Sequence, residues 1–448
     1  MNLRLHYPRS AAQFGCSVYR SVRAGRYNAT RRINVMRAEQ LLRLKFMQVH
    51  TQMQSTENAH FEGKPDDTEA VIGAEIRVVT QMSGFVEADW DALAGDSPLL
   101  RHAFLNALET TGCVGADIGW EPIHLGLFRG ERLEAAMPLY VKHHSWGEFV
   151  FDFAWADAYR RHGLRYYPKL VNCVPFSPVP GPRLLAKNDA DKVALVEAAL
   201  QLTRELGFSS FHSLFPTAAD QAVLSMPGMQ LLHRTGFQYH WNNDGYKTFD
   251  DFLAAMTHDK RKKIRQERRK LETGGIRFRW VTGTDSTPAD WDFFERCYAD
   301  TYARHRSEPH LNRAFFDQLC AAQPEHMLLI IAERDGAPVA CSFNLMDRER
   351  LYGRHWGALE YIPGLHFETC YYQGIAYAIQ HGLQVFEGGA QGEHKLARGL
   401  VPTQTHSYHW LENAEFRNAV DRFLEREEIA ITHYIDELEG PFRQTPNS

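Results

Sequence analysis

One short segment, residues 385–395, concentrates side chains able to do acid–base chemistry and reads VFEGGAQGEHK. An apolar strand ends there in Glu387. Gly388 and Gly389 follow, so the backbone can approach a ligand closely and offer N–H groups to an oxyanion or phosphate. Acyl transfer to an amine needs a base and oxyanion stabilisation, and we predict Glu387 or His394 as base or orienting residue. The alternative is a polar loop whose glycines serve only tight turning.

Three further residues extend this candidate site. Lys395 is expected to hold an anionic group, and Gln391 joins the two glycines in a predicted donor-binding or phosphate-binding group. His355, in a predicted strand upstream, is either a base acting through water or a histidine that satisfies a local hydrogen bond. We predict no metal site, because His143 and His144 lack a third ligand nearby.

Eight basic residues crowd residues 257–275, which read THDKRKKIRQERRKLETGG. At helical spacing the arginines share one face, while Ile264 and Leu271 mark the buried side. Such density attracts phosphates and makes binding salt-dependent, whereas the alternative is a solvated surface helix. We expect this helix and residues 386–395 to face one crevice. The predicted donor-binding cations are Lys260, Arg261, Arg265, Arg268 and Arg269.

An aromatic-rich segment, residues 143–170, reads HHSWGEFVFDFAWADAYRRHGLRYYPKL. We interpret it as the wall of a groove for the acceptor, or else as ordinary aromatic core material. The residues assigned to the groove are Trp146, Asp152, Trp155 and Asp157.

The elements that position these residues occur twice along the chain, which predicts an internal repeat. Residues 124–142 and 327–347 each read as a hairpin around a short polar turn. A helix closed by Gly207 or Gly382 and then a strand follow in each half. Tyr-His-Trp, ending at Trp241 and at Trp410, closes both units.

We predict an α/β (α+β) fold built from tandem units, each with a mixed, mostly antiparallel sheet flanked by helices. The expected units are residues 72–245 and 246–425. A basic leader, residues 1–71, precedes them, and a C-terminal helix and tail, residues 426–448, follows. Because the second unit alone has the Gly-Gly turn and acid, we assign catalysis to it.

The composition fits a soluble, cytoplasmic protein. The 448 residues are 44% hydrophobic with a formal net charge of -5, so no whole-molecule field favours nucleic acid or membrane. No apolar run approaches the roughly 20 residues of a membrane span. Residues 1–50 contain ten Lys or Arg and one acid, which suits a targeting segment or an over-long gene start equally.

Four stretches carry a resemblance to a known family: residues 97–109, 145–170, 259–271 and 386–399. Together they resemble bacterial predicted N-acyltransferases placed beside the FemAB-type aminoacyltransferases, within the N-acetyltransferase (GNAT) superfamily plan. The resemblance implies tandem GNAT-like units and transfer of an acyl or aminoacyl group to a small-molecule or peptide amine.

The resemblance also implies an acyl donor that acts as co-substrate, either acyl-CoA or aminoacyl-tRNA, with no tightly bound cofactor. The chain departs from the acetyl-CoA pattern, because ALEYIPGLHFETC, residues 358–370, retains only Gly364 of the usual pyrophosphate-binding turn. This departure favours an unusual acyl donor, for example aminoacyl-tRNA, whereas the basic helix suits a tRNA donor, a CoA donor or an acyl-carrier donor. The competing hypothesis is a non-catalytic RNA-binding or adaptor protein that retains the fold.

Overall fold

A computed structural model describes residues 73–390 and 392–439. The predicted leader, Gln391 and the chain from residue 440 lie outside these described residues. No helix in the described ranges has both the length and the apolar character needed to cross a bilayer.

The first half, residues 73–245, begins with strand β1 and a pair of helices. Its elements are β1 Ala74–Val79, α1 Glu87–Ala94, α2 His102–Thr110, β2 Trp120–Pro122, β3 His124–Arg129, β4 Arg132–Met137, β5 Tyr140–Lys142, α3 Phe153–Arg161, β6 Lys169–Asn172, β7 Leu185–Ala186, α4 Asp189–Glu205, β8 Ser210–Leu214, α5 Ala218–Leu224 and β9 Leu232–Asn242.

The second half repeats much of this order and adds the basic helix. Its elements are α6 Phe249–Ala254, α7 His258–Thr273, β10 Ile276–Thr282, α8 Pro288–Arg304, α9 Arg313–Ala322, β11 Met327–Arg334, β12 Ala337–Met346, β13 Arg350–Ala358, α10 (Leu365–Phe367, a π-helical turn Glu368–Tyr372 and Gln373–Gln380), β14 Val385–Glu387, β15 Val401–Leu411 and α11 Ala414–Glu439.

Several predicted boundaries are confirmed. Both hairpins form, and Gly207 and Gly382 follow their helices with φ of 67° and 70°, a conformation that favours glycine. Helix α8 begins at Pro288 because Thr287 and Asp290 form a reciprocal capping box ahead of it. The predicted last helices are one continuous helix, α11.

The described strands form a four-stranded sheet, β1-β3-β4-β7, and an eleven-stranded sheet, β10-β11-β12-β13-β14-β9-β15-β8-β6-β5-β2. All pairs are antiparallel except β13 with β14 and β6 with β8. Helices pack on both faces, so the predicted fold class of mixed, mostly antiparallel sheets flanked by helices is confirmed.

The two final strands are exchanged between the halves. Strand β9 of the first half pairs with β14 of the second, and β15 of the second half pairs with β8 of the first. The exchange means that neither half completes its sheet alone, and the unit limits near residues 245 and 425 stay predictions.

The exchange places the histidine of each Tyr-His-Trp sequence opposite a residue of the other half. His240 in β9 lies opposite Glu387 in β14, and His409 in β15 lies opposite His212 in β8. The parallel pairs match as well: Leu351 with Phe386 corresponds to Leu170 with Phe211. Arg350 and Lys169, each one residue earlier, therefore occupy equivalent positions.

Lys169 sits in a buried polar network of the first half. Its ammonium donates to Asp152, to Glu148 at 2.8 Å and to Ser145 at 3.0 Å. Tyr166 donates to the same Asp152 at 2.5 Å. Because these groups are shielded from water, their charges must compensate one another within the protein.

Replacing Lys169 with Met should therefore destabilise the fold strongly. The change leaves the carboxylates of Asp152 and Glu148 buried without their shared cation, which costs about 3–5 kcal/mol of unfolding free energy. Chemical denaturation at pH 7 measures the loss, with Lys187→Met, at an exposed lysine, as control. A loss below about 1 kcal/mol would show that the network is dispensable.

Candidate active site

A cavity of about 250 Å³ opens where β13 and β14 diverge. The strands pair up to Tyr352 and Glu387, after which β14 ends and β13 continues. The second half lines the cavity with Tyr302, His310 and the strand ends at residues 352–355 and 387–389. The first half contributes Phe149, Phe176, Pro178, Val179 and Gln238.

Glu387 is the acid of this cavity and is 3% exposed. Its Oε1 accepts a hydrogen bond from Arg350 at 3.0 Å, whereas the buried Oε2 has no hydrogen-bond partner among the described residues. Burial raises the pKa of Glu387 to about 7, although Arg350 acts in the opposite direction. The carboxyl therefore exchanges a proton close to neutral pH.

His240 lies opposite Glu387 in the neighbouring strand. Its Nε2 lies 3.9 Å from Oε2 of Glu387, beyond hydrogen-bond distance. Burial, with Arg350 and Lys395, lowers the pKa of His240 to about 4, so the imidazole is neutral at pH 7. Burial is thus the main cause of the raised pKa of Glu387; Arg350 and, more weakly, Arg354 oppose it, and the charge of Asp347 adds to it.

Two phenylalanines in the cavity wall have strained backbones. Phe149 has φ of 62° and Phe176 has φ of 57°, values that bulky side chains rarely adopt. The ring of Phe176 stacks on His310 with centroids 4.7 Å apart. Strain of this kind persists only where the surrounding structure imposes it, and it concentrates at functional sites.

A bulge in β13 turns Arg354 towards the cavity. Phe343 pairs with His355 and Asn344 with Gly353, so Arg354 is the extra residue. Its Nη2 donates to the carbonyl of Phe176 and to Ser177 Oγ at 3.0 Å. His355 also lines the cavity, and burial lowers its pKa well below the usual range, which makes it a neutral imidazole.

The two glycines have different reasons to be glycine. A Cβ at Gly388 would lie 2.4 Å from Leu400 and 3.1 Å from the carbonyl oxygen of Tyr239, which accepts the N–H of Gly388. That N–H is therefore committed to the protein. Gly389 has φ of 81°, a conformation that favours glycine, and it also lines the cavity.

Lys395 supports this turn from behind. Its buried ammonium donates to the Gly389 carbonyl at 3.0 Å, and no carboxylate lies within 4.0 Å of it in the described chain. Burial lowers the pKa of Lys395 to about 8. The partly desolvated ammonium of Lys395 therefore contacts a residue, Gly389, that lines the cavity.

The basic helix does not share a crevice with Glu387, contrary to the sequence-based expectation. Phe386 and Glu387 are neighbours in a strand, so their side chains point to opposite faces. Phe386 packs in one core with Ile264 of α7, whereas Glu387 faces the cavity. Helix α7 and the Glu387 carboxylate therefore lie on opposite faces of the sheet, because side chains alternate between faces along a strand.

Residues 393–398 connect the two faces. His394 is exposed and lies 3.3 Å from the hydroxyl of Tyr371, and Arg398 donates to the His394 carbonyl at 2.7 Å. Arg398 also pairs with Glu267 of α7 at 3.5 Å. His394 and Lys395 thus lie between α7 and the turn at Gly389.

The cations of α7 divide into engaged and exposed groups. Arg265 pairs with Asp250, Arg268 pairs with Glu368, and Arg261 donates to the Ala254 carbonyl. Lys260 is partly buried, and Arg269 is exposed. The exposed cations without an ion pair or hydrogen bond to any described side chain are Lys262, Lys263, Arg269 and Lys270.

The predicted acceptor groove residues lie outside the Glu387 cavity. Asp152 and Trp155 are buried in the first-half network, where Trp155 meets the ring of His409 edge-on. Trp146 packs on Phe153, and Asp157 pairs with Arg160 and Arg161 on the surface of α3. The aromatic segment contributes to the cavity through Phe149 instead.

A second cavity of about 360 Å³ lies at the start of α10, beside the loop that retains Gly364. Its charged lining residues are already paired, Arg304 with Asp300 and Glu360 with Arg334. No described group of three or more His, Cys, Asp or Glu side chains is arranged to hold a metal ion.

The sequence pattern of the FemAB-like family, described as peptidoglycan biosynthesis/recognition, matches residues 81–444. The chain belongs to the FemAB-like family. No curated protein sequence matches this FemAB-like chain.

Solved structures with a similar fold include FemX, at 11% identity and a TM-score of 0.49, covering 75% of this FemAB-like chain and 98% of that one. A tandem GNAT protein from the clavulanic acid biosynthesis pathway has 10% identity, a TM-score of 0.41 and coverages of 76% and 99%. The C-terminal domain of a putative lysylphosphatidylglycerol synthetase from Agrobacterium fabrum has 11% identity and a TM-score of 0.45, and the match covers 75% of this chain and 96% of that one.

Glu387→Gln should change how the stability of this FemAB-like protein depends on pH. A carboxyl whose pKa is raised by folding binds its proton more tightly in the folded state, so wild-type stability falls as pH rises from about 4.5 to about 7. Glutamine does not titrate. The unfolding free energy of the variant relative to wild type should thus increase by about 2–3 kcal/mol between pH 4.5 and pH 8.

Denaturant titrations at both pH values measure this difference, with Glu349→Gln, at an exposed glutamate, as control. A variant whose stability relative to wild type stays constant with pH would contradict the raised pKa of Glu387.

Proposed function

We propose that this FemAB-like protein transfers an acyl or aminoacyl group to an amine acceptor by direct attack, with Glu387 as the general base. The observation that carries the proposal is the free, buried Oε2 of Glu387 at the wall of a cavity built by both halves. Family membership supports acyl or aminoacyl transfer, and peptidoglycan precursors with amine groups are the acceptors it favours.

The chemistry follows from the proton affinity of Glu387. The acceptor nitrogen attacks the carbonyl carbon of the activated donor, and a C–N bond forms while Oε2 takes a proton from the nitrogen. The bond from carbonyl carbon to the leaving oxygen or sulfur then breaks, and Glu387 returns the proton to the leaving atom. A pKa near 7 suits both the uptake and the return.

The negative charge on the attacked carbonyl oxygen needs nearby positive groups. In our proposal the Gly389 turn and the Lys395 ammonium behind it provide that field from the end of β14. His355, neutral and packed against Tyr298 and Phe343, shapes the cavity wall instead of acting as a base.

For the donor we propose a phosphate-rich molecule, with aminoacyl-tRNA ahead of acyl-CoA. The exposed cations of α7 would hold the phosphates on one face of the sheet, and residues 393–398 lead from there to the Gly389 turn. The acceptor then approaches Glu387 from the opposite face. Thermal stabilisation by charged tRNA, without stabilisation by CoA, is the expected binding pattern.

Glu387→Gln should lower kcat at least about 100-fold while leaving donor affinity unchanged, because the amide cannot take up the proton. In wild type, log kcat/KM should rise with pH to a plateau above an apparent pKa of about 7. Single-turnover transfer to an amine measures the rate, with Glu349→Gln as control. If the Glu387→Gln variant transfers the acyl group as fast as wild type, Glu387 is not the general base. If neither wild type nor the variant catalyses transfer, the non-catalytic alternative is favoured.

Replacing Lys262 and Lys263 with Gln should weaken binding of unfractionated tRNA several-fold. It should also lower the slope of log affinity against log salt by about 2, since two phosphate contacts are lost. Filter binding at several salt concentrations measures both, and Lys187→Gln with Arg422→Gln, two exposed cations elsewhere, is the matched control. Equal effects in both double variants would show that α7 is an ordinary charged surface.

A further inference from the structure

Arg354 is a cavity residue whose charge the proposed transfer leaves unused. Its guanidinium has no carboxylate oxygen within 4.0 Å among the described residues, and it donates only to the Phe176 carbonyl and Ser177 Oγ there. Burial lowers the pKa of Arg354 to about 10, so it stays charged at neutral pH. A guanidinium in a cavity without an anion is a binding group for an anionic ligand.

The position of Arg354 relates that charge to the base. Tyr352 is the strand partner of Glu387, and Arg354 lies two residues further along β13, roughly 7 Å on. The two side chains line one cavity without forming an ion pair. A small ligand that carries both an amine nitrogen and an anionic group could place the nitrogen at Glu387 and the anionic group at Arg354.

A carboxylate fits the Arg354 guanidinium better than a phosphate does. One guanidinium offers a planar fork of donors that fits two carboxylate oxygens, whereas a phosphate dianion calls for more positive charge. Much of the remaining wall is aromatic or apolar, including Phe149, Phe176 and Tyr302, and Gln238 is a polar member of it. Apolar surroundings lower the local dielectric constant and so strengthen a charged contact.

We propose that the acceptor is an amino-acid-like molecule, in which a carboxylate bound by Arg354 places the amine against Glu387. This inference rests on the proposed transfer to an amine and specifies its substrate class. Arg354 is then the residue that selects acceptors carrying a carboxylate over plain amines.

A structural alternative is that Arg354 only ties residues 176–177 of the first half to β13. Arg354→Gln separates the two roles, because a glutamine amide still offers N–H donors for the carbonyl of Phe176 but has no charge. Arg348→Gln, at an exposed arginine that pairs with Asp96, is the matched control.

The test compares matched amines that differ in the carboxylate: lysine with cadaverine, and alanine with ethylamine. Calorimetric binding to the full chain should favour the amino acids by about 10- to 100-fold in wild type and Arg348→Gln, and this ratio should fall to near 1 in Arg354→Gln. Transfer rates with charged tRNA as donor should show the same ratios.

Binding of lysine and cadaverine with equal affinity by wild type would overturn the inference, as would a preference that survives in Arg354→Gln. A tighter fit for O-phosphoethanolamine than for β-alanine would overturn the choice of carboxylate. Because binding is measured without turnover, an inactive protein that still prefers amino acids would contradict the proposed function and leave the Arg354 site standing.

Discussion

The exchange of final strands is the constraint on which the rest of the molecule depends. Strand β9 lies between β14 and β15, so the edge of β14 that faces away from β13 is paired only when the first half is in place. The same exchange brings His240 beside Glu387 and carries Gln238 into the cavity wall. A site made in this way cannot form until both halves have folded, which couples its geometry to the stability of the whole sheet.

The reactivity proposed for the cavity depends on two charged groups, Glu387 and Arg354, that are not fully paired within the described protein. Among the described residues, Arg350 bonds to Oε1 of Glu387, Oε2 has no hydrogen-bond partner, and Arg354 lines the same cavity without a carboxylate within 4.0 Å. Each charge costs free energy that a fully paired core would not. The strained backbones of Phe149 and Phe176 in the same cavity wall point to the same conclusion, because strain imposed by the surrounding structure concentrates at functional sites.

Sequence reasoning found the strand that ends in Glu387, because an acid followed by Gly-Gly marks a chain turning away from a sheet. It also predicted both hairpins correctly, from the short polar turn at the centre of each. It missed Arg354, since a β-bulge depends on the register between β12 and β13 and leaves no mark on composition. It placed α7 beside Glu387 wrongly, because adjacency in the chain does not say which face of β14 each side chain takes.

The equivalent place in the first half explains why the proposed chemistry belongs to the second. There His212 and His409 bond through their Nδ1 atoms at 2.7 Å, and Ser210 and Ser407 occupy their Nε2 atoms at 2.8 Å. Every imidazole nitrogen therefore has a partner, and burial lowers the pKa of His212 to about 3. Neither ring has an open side for a substrate or a proton to exchange at neutral pH. Glu387 also lies opposite a histidine, yet its Oε2 has no hydrogen-bond partner among the described residues and the residue lines a cavity. One frame thus supports both a closed polar core and a reactive carboxyl, and the difference lies in whether the side chains across the exchanged strands satisfy each other.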